Sequence, residues 1–166
     1  KIGIIGMGHV GATLAYTLCL QGLADSLVLI DTNDAKVEAE YLELSDTLQN
    51  LDHQVTLVKN EYAALADAAI VVFCAGDITV LETATDRLAE LRVTSKIVAD
   101  VAPKLKASGF SGLVISITNP CDVIAFYLAN LTGFEKAKVI GSGTLIDTNR
   151  LKNRAGRQDV LVIGEH

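Results

Sequence analysis

The sequence predicts an α/β fold, a doubly wound parallel sheet, on three observations. Short β-rich runs alternate with longer stretches of helical periodicity along the whole chain. Residues 69–75 (Ala-Ile-Val-Val-Phe-Cys-Ala) are continuously apolar, as a strand covered on both faces must be. Glycine and polar residues collect directly after the strand-like runs, at 6–11, 31, 75–87 and 118–122. In a parallel sheet with helices on both faces, ligands bind at those carboxyl ends, where the strand order reverses.

The elements follow in order. Residues 1–5 form a short β-rich run that meets glycines at Gly6, Gly8 and Gly11. Residues 10–20 turn helical, with Val10, Leu14 and Leu18 spaced by four. A strand over 26–30 ends at Asp31, and a long helix over 34–51 shows Val37, Tyr41, Leu44 and Leu48 at spacings of three and four. Asn33 stands in the cap region of that helix. Strands follow over 54–58 and 69–75, then a helix from about 85 to 107. A fifth strand over 112–118 is stopped by Asn119-Pro120. The remainder reads as a helix over 122–131, a short strand over 138–141, a helix over 145–152 and a last strand over 160–163.

Composition narrows the class. With 166 residues, half of them hydrophobic and only 2 prolines, the chain carries enough apolar surface for a real core and excludes disordered or fibrous classes. Fourteen Lys+Arg against 20 Asp+Glu give a net charge of −6, which argues against nucleic acid or an anionic membrane as partner. No apolar run has the length of a membrane span and no signal-peptide pattern precedes the first strand. Cys19, Cys74 and Cys121 lack metal-ligand or disulfide spacing and read as reduced thiols. No metal site is expected, and the expected setting is the cytoplasm.

Gly6-Met7-Gly8-His9-Val10-Gly11 fits G-x-G-x-x-G between a strand and a helix. Gly6 permits the tight turn, Gly8 lets a pyrophosphate approach the backbone, and Gly11 lets helix pack on strand. The helix start adds unpaired N–H groups and the positive end of a dipole. Asp31 ends the second strand 20 residues beyond Gly11, where a ribose-binding acid belongs. A carboxylate there accepts from a ribose 2′-OH and repels a 2′-phosphate, so the cofactor expected is NAD and the fold an NAD(P)-binding Rossmann fold. His9, within the loop, reads as a solvent-facing residue.

Several residues could serve a substrate beside such a site. Arg87 opens a helix after the polar stretch, and Asn119 follows the fifth strand. Asp147 and Arg150 lie three apart and share a helix face. His166 ends the chain in Gly-Glu-His. Taken singly, each has a plain reading: a solvated cation, a turn residue, a helix ion pair, a strand-end histidine.

Taken in order, the glycine loop, Asp31, Thr-Asn-Pro-x-Asp (118–122), Gly-Thr-x-x-Asp-Thr-x-Arg (143–150) and Gly-Glu-His (164–166) closely resemble the lactate/malate dehydrogenase family. Within it the chain looks most like the L-2-hydroxyisocaproate dehydrogenases, notably in Gly76-Asp77-Ile78 and Asp86-Arg87-Leu88-Ala89-Glu90-Leu91. The resemblance implies an NAD-dependent L-2-hydroxy acid dehydrogenase. His166 would be the acid/base, Asp147 the carboxylate that orients it, and Arg150 the two-pronged grip on the substrate carboxylate. Arg87 would polarise the carbonyl, and Asn119 would touch both substrate and nicotinamide. Val10 falls within the matched loop, and Lys36, Tyr62, Ala75 and Gly76 match positions along the cofactor.

Between Gly76 and Arg87 the chain has no cation to pair a second carboxylate, as a malate-type enzyme needs, and no lactate-type glutamine. Ile78, Val80 and Leu81 suggest an apolar wall for a longer or branched 2-oxo acid, under a loop that closes over it. Only 15 residues separate Arg150 from His166, fewer than in the family, and the loop before Arg87 also differs in length. The expected organisation is an NAD-binding domain over 1–141 and, over 142–166, only the start of an α+β substrate domain. Control by a sugar phosphate is not expected, and the family implies a homodimer or homotetramer. The competing readings are a non-catalytic NAD-binding module and a malate dehydrogenase.

Overall fold

The computed structural model of the chain describes residues 1–77, 79 and 87–164. Its sheet contains β1 (Ile2–Ile5), β2 (Ser26–Ile30), β3 (Thr56–Lys59), β4 (Ile70–Phe73), β5 (Leu113–Ser116) and β6 (Val139–Gly141). The order is β3-β2-β1-β4-β5-β6, every pairing parallel. The order in which successive strands are added reverses between β1 and β4, so the crevice for a ligand lies there. Ile5 pairs with Ile30 on one side and Phe73 on the other. The three strands therefore end level, and Gly6, Asp31 and Cys74 leave the sheet side by side.

Among the described residues the helices are α1 (His9–Leu20), α2 (Asp34–Leu48), α3 (Arg87–Ala107), α4 (Cys121–Thr132) and α5 (Leu145–Ala155), the first four of which cover the two faces. Alternation along the strands decides which face each residue serves. Ile4, Leu27 and Leu29 pack with Ala15, Cys19, Val37 and Leu44 under α1 and α2. Ile5, Val28, Ile30, Val71 and Phe73 pack with Val98, Ala102, Leu105, Ile124 and Leu128 under α3 and α4. Asn33 caps α2 by accepting from Lys36 N at 3.1 Å, while α4 and α5 close on Gly133 (φ 71°) and Gly156 (φ 63°).

The expected doubly wound parallel sheet is therefore present. Its element ends differ by a few residues. Pairing with β2 moves the third strand toward 59, since Thr56 N bonds Asp25 O at 2.9 Å and Leu29 pairs with Lys59. Short 3-10 turns over Tyr62–Leu65 and Lys136–Lys138 carry no periodic signal long enough to read. The strand expected over 160–163 is not formed. A strand needs a ladder partner, and Val162 is bonded to threonine hydroxyls of α5 instead: its O accepts from Thr144 Oγ1 at 2.6 Å and its N donates to Thr148 Oγ1 at 3.1 Å. Its neighbours Leu161 and Ile163 are left exposed.

Candidate functional site

The first turn after the sheet is built by its glycines. Gly6 holds φ 102°, a conformation L side chains rarely adopt, and a Cβ there would stand 2.5 Å from the backbone of Ala75. At Gly11 a Cβ would lie 1.9 Å from Gly6 O, so helix and turn touch only because neither has a side chain. Gly8 is the opposite case. It is exposed, with nothing within 4 Å of where its Cβ would sit. Helix α1 starts here without a capping side chain and without an acid in its first turn. Its leading amides are left for an anion, in contrast to α2, which has both Asn33 and Asp34.

Asp31 ties the turn to the next strand. Its Oδ2 accepts from Met7 N at 2.6 Å and its Oδ1 from Asn33 N at 2.9 Å. Asp31 N in turn donates to Asn60 Oδ1 at 2.9 Å, and Asn60 Nδ2 to Asp34 Oδ1 at 2.5 Å. These residues border a cleft of about 620 Å³ that runs along the carboxyl ends of β1 to β4. Gly6, Gly8, Asp31, Thr32, Asp34 and Asn60 form one side. Tyr62 and the Cys74-Ala75-Gly76 segment continue it, and Lys96, Ile97, Asp100, Val101 and Lys104 of α3 close it.

Two weak acids in the cleft are held neutral. Burial, with the charges of Asp100 and Asp31 behind it, pushes the Tyr62 phenol up to about 12. Burial and Asp31 push the Cys74 thiol from 9.0 to about 12. That thiol donates to Gly6 O at 3.1 Å and acts as a brace under the turn rather than a nucleophile.

A second group of residues stands after β5 and on α5. Asn119 is half-buried and precedes Pro120 through a cis peptide. Thr118 Oγ1 donates to Ala75 O at 3.0 Å, which fixes the end of β5 beside the end of β4. On α5, Asp147 Oδ1 and Arg150 Nη1 are 3.6 Å apart, and the Arg150 side chain is 69% exposed. A long, solvated pair of this kind is worth little, so Arg150 can be redirected toward an anion at small cost. The two threonine bonds hold Val162 against the start of the same helix.

Of the residues singled out in the sequence, Gly6, Gly8, Asp31, Tyr62, Ala75 and Gly76 share the cleft. Gly11 lies beneath it, and Val10 is exposed on the first turn of α1, as is His9. Lys36 is paired with Glu40 on α2 and does not border the cleft. Asp147 and Arg150 sit together on α5. Arg87 opens α3, but its side chain lies outside the described residues, as do Ile78, Val80, Leu81 and His166. Sequence reading passed over Asn60, Asp34 and the α3 wall. The i, i+4 series Lys96, Asp100, Lys104 marks that face, and Asn60 is marked by its place directly after a strand. No cluster of His, Cys, Asp or Glu suited to a metal occurs among the described residues. Among them, no helix is long and apolar enough to cross a membrane.

The arrangement fits a dinucleotide: a side-chain-free concavity before a helix start, and a carboxylate one strand over. Comparison with known proteins agrees. Residues 1–141 match the family described as lactate/malate dehydrogenase, NAD binding domain. L-lactate dehydrogenase 1 of Bifidobacterium longum is 37% identical over 174 aligned residues, taking in 100% of this chain and 54% of that protein. The crystal structure of a minor L-lactate dehydrogenase from Enterococcus mundtii, in its ligands-bound form, superposes with a TM-score of 0.89 at 30% identity. It covers 100% of this chain and 55% of that one. A lactate dehydrogenase from Cryptosporidium parvum, complexed with lactic acid and nicotinamide adenine dinucleotide, superposes with a TM-score of 0.85 at 26% identity. It covers 94% of this chain and 49% of that one. The chain thus spans about half the length of the relatives it matches.

Proposed function

Because the chain belongs to the lactate/malate dehydrogenase family, we propose that it forms the NAD-binding part of a cytoplasmic L-2-hydroxy acid dehydrogenase. In this reading residues 1–141 hold NAD and 142–166 begin the substrate domain. The substrate is a small 2-oxo or 2-hydroxy carboxylate of the L-lactate type, with an apolar or branched side chain as in 2-hydroxyisocaproate. The active protein is a homodimer or homotetramer, and three free thiols suit a reducing compartment.

When bound, reduced NAD supplies the hydride that converts a 2-oxo acid to the 2-hydroxy acid. The chain's own residues do the rest. Backbone amides around Gly8 receive the pyrophosphate, and Asp31 accepts from the ribose. Arg150 grips the substrate carboxylate with two parallel hydrogen bonds. Arg87 stabilises the negative charge that develops on the carbonyl oxygen. His166 gives that oxygen a proton, and Asp147 fixes the imidazole and favours its charged form. Asn119 would touch both substrate and nicotinamide.

The observation that carries catalysis beyond mere binding is the pair of threonine bonds to Val162. They hold Val162, four residues before His166 in sequence, against the helix that bears Asp147 and Arg150, which supports a catalytic reading.

The test is loss of NADH absorbance by the full-length gene product with pyruvate, 2-oxoisocaproate and oxaloacetate. The apolar residues Ile78, Val80 and Leu81, with no cation among residues 77–86, lead to an expected preference for 2-oxoisocaproate over oxaloacetate of on the order of a hundredfold in kcat/KM. His166→Gln is expected to lower kcat by roughly 100- to 10,000-fold, and Arg150→Ala to raise KM. NADH binding without turnover of any 2-oxo acid would establish the non-catalytic module, and a preference for oxaloacetate the malate enzyme.

A further inference from the structure

Asn60 follows β3 and belongs to no recognised motif, yet three observations converge on it. It holds a left-handed backbone, φ 46°, without being glycine. Its side-chain amide joins two residues of the β2–α2 turn, accepting from Asp31 N at 2.9 Å and donating to Asp34 Oδ1 at 2.5 Å. It borders the same cleft as Asp31, Thr32 and Asp34. We infer that Asn60 is a positioning residue for nucleotide selection, which keeps Asp34 as a second carboxylate beside Asp31 so that the cleft rejects a 2′-phosphate more strongly than Asp31 alone. This rests on the dinucleotide reading above.

The chemistry of the amide selects the residue. Glycine satisfies the backbone but leaves Asp31 N without a side-chain partner and Asp34 free to swing into solvent. Aspartate can accept from Asp31 N but offers Asp34 a like charge in place of a donor. A primary amide of this length supplies acceptor and donor at once from two separate atoms, Oδ1 and Nδ2. The charges around the turn do not cancel the second carboxylate. Lys36 is paired with Glu40 and Lys59 with Glu38, and across the cleft Lys104 is paired with Asp100, leaving Lys96 on the far wall. A 2′-phosphate, carrying between one and two negative charges, would therefore meet two carboxylates at the ribose end.

The experiment measures NADH and NADPH affinities of the full-length gene product by fluorescence titration, with Asn60→Gly and Asp34→Asn beside the unaltered protein. Each substitution is expected to lower the preference for NADH over NADPH by about tenfold, the effect of one charge facing a phosphate a few ångströms away in solvent. Asn60→Gly keeps the backbone conformation available and so isolates the amide. If both variants weaken NADH and NADPH by the same factor, or shift only the melting temperature, Asn60 is a scaffold residue and the inference falls. If the unaltered protein binds neither nucleotide, this inference and the dinucleotide reading fall together.

Discussion

Two alanine substitutions in one loop separate what the glycines do for the fold from what they do for a ligand. In Gly11→Ala the new methyl would lie 1.9 Å from Gly6 O, 3.0 Å from its carbonyl carbon and 3.1 Å from Cys74 Sγ. The nearest of these is about 1 Å inside the closest approach real Cβ atoms make, and the obstacle is backbone pinned by Gly6 N bonding Ile30 O at 2.7 Å. Overpacking of this kind costs about 1–3 kcal/mol, here at the upper end because backbone must move. Alanine in a helix returns about 1 kcal/mol. The net loss of about 2 kcal/mol corresponds to a fall of about 4–8 °C in Tm for a domain of this size. In Gly8→Ala the methyl meets nothing within 4 Å, and φ −68° suits alanine. Its Tm is expected to stay within about 2 °C of the unaltered protein. Both variants should bind NADH on the order of 10- to 100-fold more weakly, the worth of one hydrogen bond to a charged group. Thermal melts without ligand and NADH titrations decide it. If Gly8→Ala melts as low as Gly11→Ala, or Gly11→Ala melts unchanged, the division of labour is wrong.

Tyr62 makes a prediction about alkaline pH. An unfolded chain ionises its tyrosines near 10.0, while folded Tyr62 keeps its proton to about 12. Between those values the folded state binds more protons, so stability falls as pH rises through the window and is unaffected below it. The drop in Tm from about pH 9.5 to about pH 11.5 should be smaller in Tyr62→Phe, and an equal drop in both proteins would refute it. Thr148→Val removes the acceptor for Val162 N from a buried position. It should cost about 1–2 kcal/mol and speed hydrogen exchange at the Val162 amide, whereas unchanged protection would mean the tether is not formed in solution.

The sheet was legible because its central strands are apolar on both faces and β1, β2, β5 and β6 each lead into a helix. Handedness and register then leave little freedom. The glycine turn was legible for a different reason: backbone conformation and close packing admit only glycine at Gly6 and Gly11. What could not be read depends on contacts across the sequence. Asn60 resembles any turn asparagine until β3 pairs with β2 and carries it to Asp31. Residues 160–163 look like a strand by composition, but β-propensity cannot say whether a ladder partner exists. Here the threonine hydroxyls of α5 take its backbone bonds instead. At Lys36 the motif carries no sign of the i, i+4 pair with Glu40 that holds the ammonium along α2.

Asp31 is the residue the motif points to first, and it is a poor place to test the motif. Both its oxygens already accept backbone hydrogens, from Met7 and Asn33, so it holds the glycine turn against β2 before any nucleotide arrives. Each carboxylate oxygen has a second acceptor direction, which leaves room for a ribose hydroxyl without breaking those bonds. Removing the carboxylate would therefore slacken the pyrophosphate turn and delete the ribose contact together, and loss of affinity would not tell one from the other. Asp34 and Asn60 have no bond to the turn over Gly6–Gly11. Asp34→Asn removes a charge at the ribose end and Asn60→Gly releases its tether, neither deleting the bonds from Met7 and Asn33 to Asp31, so cofactor preference can be altered apart from cofactor binding.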